Sequence, residues 1–219
     1  MKKEIAKIYR NRFNEQDIKK KNLLWYILCK HFLNKYIQQN DVVLDIACGF
    51  GEFANNIQAK KIFAVDLNAD SKSFLNKKIT FFNKNFLQLN SIKKNSIDVC
   101  FSSNFFEHLS DKRSMDAVLI KAYELLKPGG LYICIQPNIR YEQKKYWDFY
   151  DHNIPLSHLS CSEAFLKNGF LIEKLIPKFL PFSTKDNLPQ SQLLLWIYLK
   201  IPFLWIFFGK QFFLIAKKP

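Results

Sequence analysis

A chain of 219 residues that is 48% apolar and 16% aromatic can build a well-covered core, which excludes an intrinsically disordered protein and suits one domain with an added lobe. Its formal charge of +14 leaves open a nucleic acid, an anionic membrane surface, an acidic substrate or plain lysine-rich solubility. The five cysteines (Cys29, Cys48, Cys100, Cys134, Cys161) are scattered and never form a CxxC pair; this excludes a disulfide or zinc framework and points to free thiols in a reducing compartment.

The opening MKKEIAKIYRNRF lacks the apolar core of a signal peptide, so a cytoplasmic protein is expected. Residues 1–40 read as an N-terminal helical segment, in which Leu23, Leu24, Ile27, Leu28, Phe32, Leu33, Tyr36 and Ile37 recur at helical spacing. Asn40–Asp41 closes it, and residues 41–219 form the main domain. Val42–Leu44 is a first apolar strand ending on Asp45. A glycine turn (Ala47, Cys48, Gly49, Phe50, Gly51) then leads into a helix-like segment. Ile62–Val65 is a second strand ending on Asp66. A helix near 69–77 and strands at Ile79–Phe82 and Ser96–Ser102 follow. The helix of Asp111–Leu126 is stopped by Lys127–Pro128–Gly129–Gly130. Leu131–Ile135 is a fully apolar fifth strand, as in a parallel sheet covered on both faces.

All eight prolines fall at or after Pro128, and the character of the chain changes there. Residues 137–160 read as a substrate loop or lid. A short helix of Ser160–Asn168 starts at Ser160 or Ser162 and is closed by Gly169. A strand of Phe170–Pro177 and a polar loop of Ser183–Gln190 come next. Residues 189–208 form an apolar helical insertion. Its 16-residue core Leu193–Phe208 contains Lys200 and Pro202, whereas a spanning helix needs roughly 20 uninterrupted apolar residues. Packing on the domain is the expected role, with a peripheral contact to the inner face of a membrane or to a lipid-bearing substrate as the rival. Phe212–Ala216 is the last strand.

A glycine turn entering a helix places backbone N–H groups around a polar ligand. Gly49-Phe50-Gly51-Glu52-Phe53-Ala54 matches the dinucleotide G-x-G-x-x-G/A only formally. Glu52 would face a pyrophosphate, and Asp45 adds more negative charge. A site ringed by these acids suits a ligand that carries positive charge beside a carboxylate, as S-adenosyl-L-methionine does. Asp66 at the next strand tip is placed to accept from ribose hydroxyls.

Asp45-Ile46-Ala47-Cys48-Gly49-Phe50-Gly51 resembles the D-x-[AG]-C-G-x-G signature of class I S-adenosylmethionine-dependent methyltransferases. The resemblance continues through Asp66-Leu67, Asn85-Phe86, SIDVCFSSNFFEHL (96–109) and LKPGGL (126–131), in order and at family spacing. It implies a Rossmann-like α/β fold with a seven-stranded sheet in the order 3-2-1-4-5-7-6. It also implies a cofactor site. Ala47, Cys48, Gly49 and Gly51 would lie at the methionine part, with Asp45 ordering the amino group. Asp66 and Leu67 would hold the ribose, Asn85 and Phe86 would flank the adenine, and Ser103 and Asn104 would close over the sulfonium side. The family often has Asp where Asn85 stands. A narrower likeness, in DFYDH (148–152), PLSHLS (155–160) and LPFSTKDNLP (180–189), is to a subgroup of surface-polysaccharide and lipid-linked sugar pathways.

Methyl transfer to a hydroxyl requires alignment of the acceptor and removal of its proton, for which histidine is the best-suited side chain near neutral pH. Of His31, His108, His152 and His158, the expectation places the base at His152, then at His108, with Asp151 orienting an imidazole. Glu107-His108 is similar to part of the Glu-x-x-Glu-His metal cluster of some RNA 3′-end methyltransferases. Asn104 replaces its first acid, so no metal is expected. The acceptor expected is a small molecule, a glycan, a glycan modification or a lipid-linked intermediate. A nucleic acid ranks below these, for want of a dense Arg/aromatic patch. A dinucleotide enzyme and a non-catalytic cofactor-binding module are the remaining rivals. Oligomeric state is not legible.

Overall fold

The computed structural model describes residues 15–182 and 191–219, with side chains described from Lys20 onward. The expectations for residues 1–14 and for the polar loop 183–190 fall outside the described residues. Along the chain run α1 (Glu15–His31), β1 (Val42–Ile46), β2 (Lys61–Asp66), β3 (Thr80–Asn83), β4 (Ile97–Ser103), α2 (Lys112–Leu125) and β5 (Leu126–Pro137). Then come α3 (Gln143–Tyr146), α4 (His158–Lys167), β6 (Leu171–Ile176), α5 (Gln192–Lys200), α6 (Pro202–Phe208) and β7 (Gln211–Lys217). The strands form one seven-stranded sheet in the order β3-β2-β1-β4-β5-β7-β6, the order expected from the sequence.

The chain divides into two compact units, one from the described residues of Met1–Gln88 and Ser183–Pro202, the other from Leu89–Phe182 and Phe203–Pro219. In the first unit β1, β2 and β3 pair in parallel. Val43, Leu44 and Ile46 of β1 are fully buried, as continuous apolar strands must be when both faces are covered. The buried side of α1 (Leu24, Ile27, Leu28) belongs to this core, and α1 packs on α5.

In the second unit β4 and β5 are parallel, while β7 runs antiparallel to both β5 and β6. Asp111 caps α2, its side chain accepting from the Ser114 N–H at 2.7 Å. Met115, Val118, Leu119, Ala122 and Leu125 of α2 are buried. Lys127–Gly130 is an irregular entry to β5, where the pairing with β4 jumps from Ile97↔Leu126 to Val99↔Leu131. A Cβ on Gly130 would stand 2.9 Å from the Lys127 carbonyl, so the chain needs glycine there. All five cysteines are buried free thiols.

Three expectations are corrected. No α-helix follows the glycine turn; residues 52–56 form only turns. The Asn55 amide exchanges bonds with Phe74 O and Asn76 N–H at 2.8 Å each, and Asn56 Nδ2 donates to Glu52 O at 2.7 Å. The Asn56 side chain thereby takes the Glu52 carbonyl that its own N–H would bond in a continuing helix, and Asn55 ties the turn to the segment of Phe74–Asn76. Near 69–77 the helix is 3-10, over Ala69–Phe74. The later helix starts at His158, with Ser157 rather than Ser160 as its cap. Ser157 and Ser160 form a reciprocal capping box, which hides the true start from a rule that takes the serine nearest the apolar run.

Candidate functional site

In the first unit the tips of β1 and β2 bring together Asp45, Ala47, Cys48, Gly49, Gly51, Asp66 and Leu67. Ala47, Gly49 and Gly51 all have positive φ (59°, 55° and 76°), so the turn doubles back tightly after β1. The φ of Gly51 favours glycine, and a Cβ there would also press on Leu75 Cδ2 at 2.4 Å, so the Leu75 side chain would have to shift. Ala47 bears the left-handed conformation with a side chain, a strain that persists only where surrounding structure imposes it.

The turn is tied to β2 through Asp66. Its Oδ2 accepts from the Gly49 N–H at 2.8 Å, and its Oδ1 from the Asn68 N–H at 2.7 Å. Each carboxylate oxygen keeps a further lone pair for a ligand. Burial raises the Asp66 carboxyl above its usual range, and the bonds from Asn68 and Gly49 pull against that rise. Asp45 is more perturbed. It is 2% exposed, and its carboxyl is raised well above the usual range by burial first and by Glu52 and Asp66 next. Among the described residues its Oδ2 has no hydrogen-bond partner. Glu52, also buried, faces Lys21 at 3.8 Å. Three acids crowded around one glycine turn form a pocket of negative charge that a cation relieves.

The third strand tip is organised differently. Asn83 Nδ2 donates to Asp66 O at 3.1 Å and Leu67 O at 3.0 Å, locking β3 to the tip of β2. Asn85 Oδ1 accepts from the Leu87 N–H at 3.0 Å. Phe86 is 5% exposed and belongs to the core.

In the second unit β4 ends at Ser103. Asn104 turns the chain with φ 48°, its N–H donating to Ile135 O at 3.0 Å. A 3-10 turn, Phe106–His108, follows. Phe106 is buried within an aromatic cluster with Tyr132 and Phe165, which drives its neighbour Glu107 inward to 1% exposure. The loop after β5 folds onto this turn. The N–H groups of Asn153 and Ile154 donate to Glu107 O at 2.7 and 3.2 Å. The Tyr146 hydroxyl donates to Ile154 O. His152 is clasped between Phe149, stacked at 4.9 Å, and Tyr146, edge-on at 4.8 Å.

His108, Asp151 and His152, 43 and 44 residues apart in sequence, thereby meet. His108 Nδ1 lies 3.2 Å from Asp151 Oδ2 and 3.0 Å from Asp151 O, and its ring meets the His152 ring edge-on at 5.0 Å. Burial works against the charged His108 ring, but the Asp151 bond and the charges of Glu107 and Asp151 outweigh it and raise its pKa. Burial pushes the Glu107 carboxyl up to about 7, with His108 pulling the other way. Neither Glu107 oxygen has a hydrogen-bond partner among the described residues. One donor atom from each of Glu107, His108 and His152 lies within 4.8 Å of the others, a grouping that could hold a metal ion. The sequence expectation of no metal rests on the missing acid at Asn104; in the fold His152 stands as a third possible donor beside Glu107 and His108.

The remaining histidines stand elsewhere. His158 begins α4, its Nδ1 at 3.0 Å from Asn138 Nδ2 and its ring stacked on Tyr141, and burial followed by Arg140 lowers its pKa. His31 ends α1. Tyr146 and Asn153 were not singled out from sequence, whereas Glu52 was read as an acid ringing the glycine turn and Glu107 as half of a Glu-His pair. The signal for Glu107 was an acid between a buried phenylalanine and a histidine just past a strand end.

A sheet of this order, with a glycine turn after β1 and an acid at the tip of β2, is the Rossmann-like fold shared with solved S-adenosylmethionine-dependent methyltransferases. Residues 44–134 match the family described as Methyltransferase domain. The demethylmenaquinone methyltransferase of Oceanobacillus iheyensis is 23% identical over 154 residues. That stretch is 63% of this chain and 63% of the relative, so the match spans less than two thirds of the relative's length. Two solved structures share the fold with a TM-score of 0.67. One, a SAM-dependent methyltransferase from Archaeoglobus fulgidus, is 21% identical, with 90% of this chain and 94% of that chain covered. The other comes from the complex between the Haloferax volcanii Trm112 methyltransferase activator and a methyltransferase, at 16% identity with 94% and 95% covered.

Proposed function

We propose that the protein transfers the methyl group of S-adenosyl-L-methionine to an oxygen of a glycan, a glycan modification or a lipid-linked intermediate of surface-polysaccharide biosynthesis. The turn of Ala47, Cys48, Gly49 and Gly51 receives the methionine part, with Asp45 on its ammonium and Asp66 and Leu67 at the ribose. Asn85 and Phe86 mark the adenine side, and Ser103 and Asn104 the sulfonium side. The observation that carries the chemistry is the pairing of His108 with Asp151 beside His152. An imidazole whose Nδ1–H is held by a carboxylate presents a basic Nε2, the arrangement an acceptor hydroxyl needs to lose its proton as the methyl group arrives. The reading gives this role to the cluster of His108, His152 and Asp151. The bond to Asp151 falls on His108.

The acceptor class rests on the likeness of segments 148–160 and 180–189 to the polysaccharide subgroup. It is also supported by α6, where Phe203, Ile206, Phe207 and Phe208 are each more than half exposed and suit a lipid tail or membrane surface. Among the described residues no helix is long and apolar enough to cross a membrane. The test is incubation of the protein and labelled cofactor with lipid-linked glycans, total RNA and quinone extracts in parallel. Label in a glycan fraction, reduced about 100-fold or more in His108→Gln while cofactor binding persists, is the expected result. Label in RNA or quinone replaces the acceptor, and cofactor binding without turnover on any extract removes the enzyme reading.

A further inference from the structure

We propose that Glu107, His108 and His152 bind one divalent transition-metal ion, whose open positions take an oxygen of the acceptor. Four observations on the second unit converge. Donor atoms of the three side chains come within 4.8 Å of one another. A cation with bonds of about 2.0–2.2 Å spaces its ligands by roughly 3–4 Å, so binding would draw the three together by about an ångström. Glu107 is 1% exposed and neither carboxylate oxygen has a hydrogen-bond partner among the described residues, a cost that a buried acid seldom carries without a cation or a proton. His108 Nε2 stands 3.9 Å from Glu107 Oε1, too far for a hydrogen bond and near the spacing of two ligands on one ion.

The fourth observation concerns the second layer around these groups. His108 Nδ1 is held by Asp151, at 3.0 Å to its carbonyl and 3.2 Å to its carboxylate. A metal-ligating histidine characteristically donates its other N–H in this way, which fixes the tautomer and directs the Nε2 lone pair at the metal. The His108 side chain is 27% exposed, so ion and acceptor can enter from one side. Two imidazoles and one carboxylate suit Mn²⁺, Co²⁺ or Zn²⁺ better than Mg²⁺ or Ca²⁺, which prefer oxygen ligands alone.

This deepens the reading of the cluster as the place where the acceptor is activated, and rests on that reading only for the use made of the ion: with the His108 Nε2 lone pair on the ion, the ion lowers the pKa of the bound acceptor hydroxyl and the proton leaves to solvent instead of to Nε2. The experiment therefore needs neither acceptor nor cofactor: the whole protein is titrated with Co²⁺ and followed by visible ligand-field absorption. Wild type should saturate at one ion per chain. Glu107→Gln, which keeps the buried shape, and His152→Gln should each weaken binding about 100-fold or more. Asp151→Asn should weaken it roughly 10–100-fold with the absorption band retained. His31→Gln should change nothing. Should Glu107→Gln fail to fold, the wild-type stoichiometry and the Asp151→Asn shift decide. No saturable absorption in wild type, or equal affinity in folded Glu107→Gln, overturns the site and leaves Glu107 a buried protonated acid. That outcome leaves the acceptor experiment untouched, and a non-glycan acceptor would likewise leave the metal titration standing.

Discussion

Asp66 closes the glycine turn, and in the proposed function it has a second task, offering lone pairs to the ribose. Asp66→Ala removes both. Hydrogen bonds to a charged group contribute about 1.5–3 kcal/mol each, so the cofactor affinity measured by calorimetry should fall at least about 10-fold. Equal affinity in the variant would remove Asp66 from the site. Asp45 makes a pH signature. Its carboxyl is raised above the usual range, first by burial and then by Glu52 and Asp66, so without a bound cation the protonated form is favoured relative to a free carboxyl. A bound ammonium and sulfonium favour the carboxylate and expel that proton. Affinity for S-adenosyl-L-methionine should therefore weaken as pH falls through the raised Asp45 value. Calorimetry in buffers of differing ionisation enthalpy should register proton release on binding. Proton uptake would contradict the placement of the cation beside Asp45.

At the scale of elements, strands were legible because their apolar runs and terminal acids are local facts; β1 and β2 end on Asp45 and Asp66 regions as read. Helix boundaries were less so. The turn after β1 should have become a helix by pattern, yet Asn55 and Asn56 divert their amides to Phe74, Asn76 and Glu52, partners invisible without the fold. The start of α4 is a capping box of Ser157 and Ser160. Ser157→Ala should cost about 1 kcal/mol, lowering the thermal midpoint by roughly 2–4 °C, with His158→Gln serving as a comparison at the same helix end. An unchanged midpoint in Ser157→Ala would mean that packing of Cys161 and Phe165 alone sets where the helix begins.

For the molecule as a whole, the charge of +14 and the exposed aromatic face of α6 point to the same kind of partner. Each basic residue near an anionic bilayer contributes about 1 kcal/mol. Co-sedimentation should show binding to phosphatidylglycerol vesicles that weakens with salt. Replacing both Phe203 and Phe207, whose rings touch at 5.0 Å and stand mostly in solvent, by serine should reduce it about tenfold or more. Binding that is indifferent to both changes would leave the basic surface a matter of solubility.

The sequence by itself carried the strands and the glycine turn with its two acidic neighbours, because each is written within a few adjacent residues, and the order of the sheet came only through the resemblance those motifs bear to a known family. Only the tertiary structure decided which side chains stand together at the proposed site. His152 reaches His108 because the Asn153 and Ile154 N–H groups seize the Glu107 carbonyl, and Asp151 thereby meets the His108 ring. Contacts between residues more than 40 positions apart are set by loop closure and burial, and no local pattern carries them.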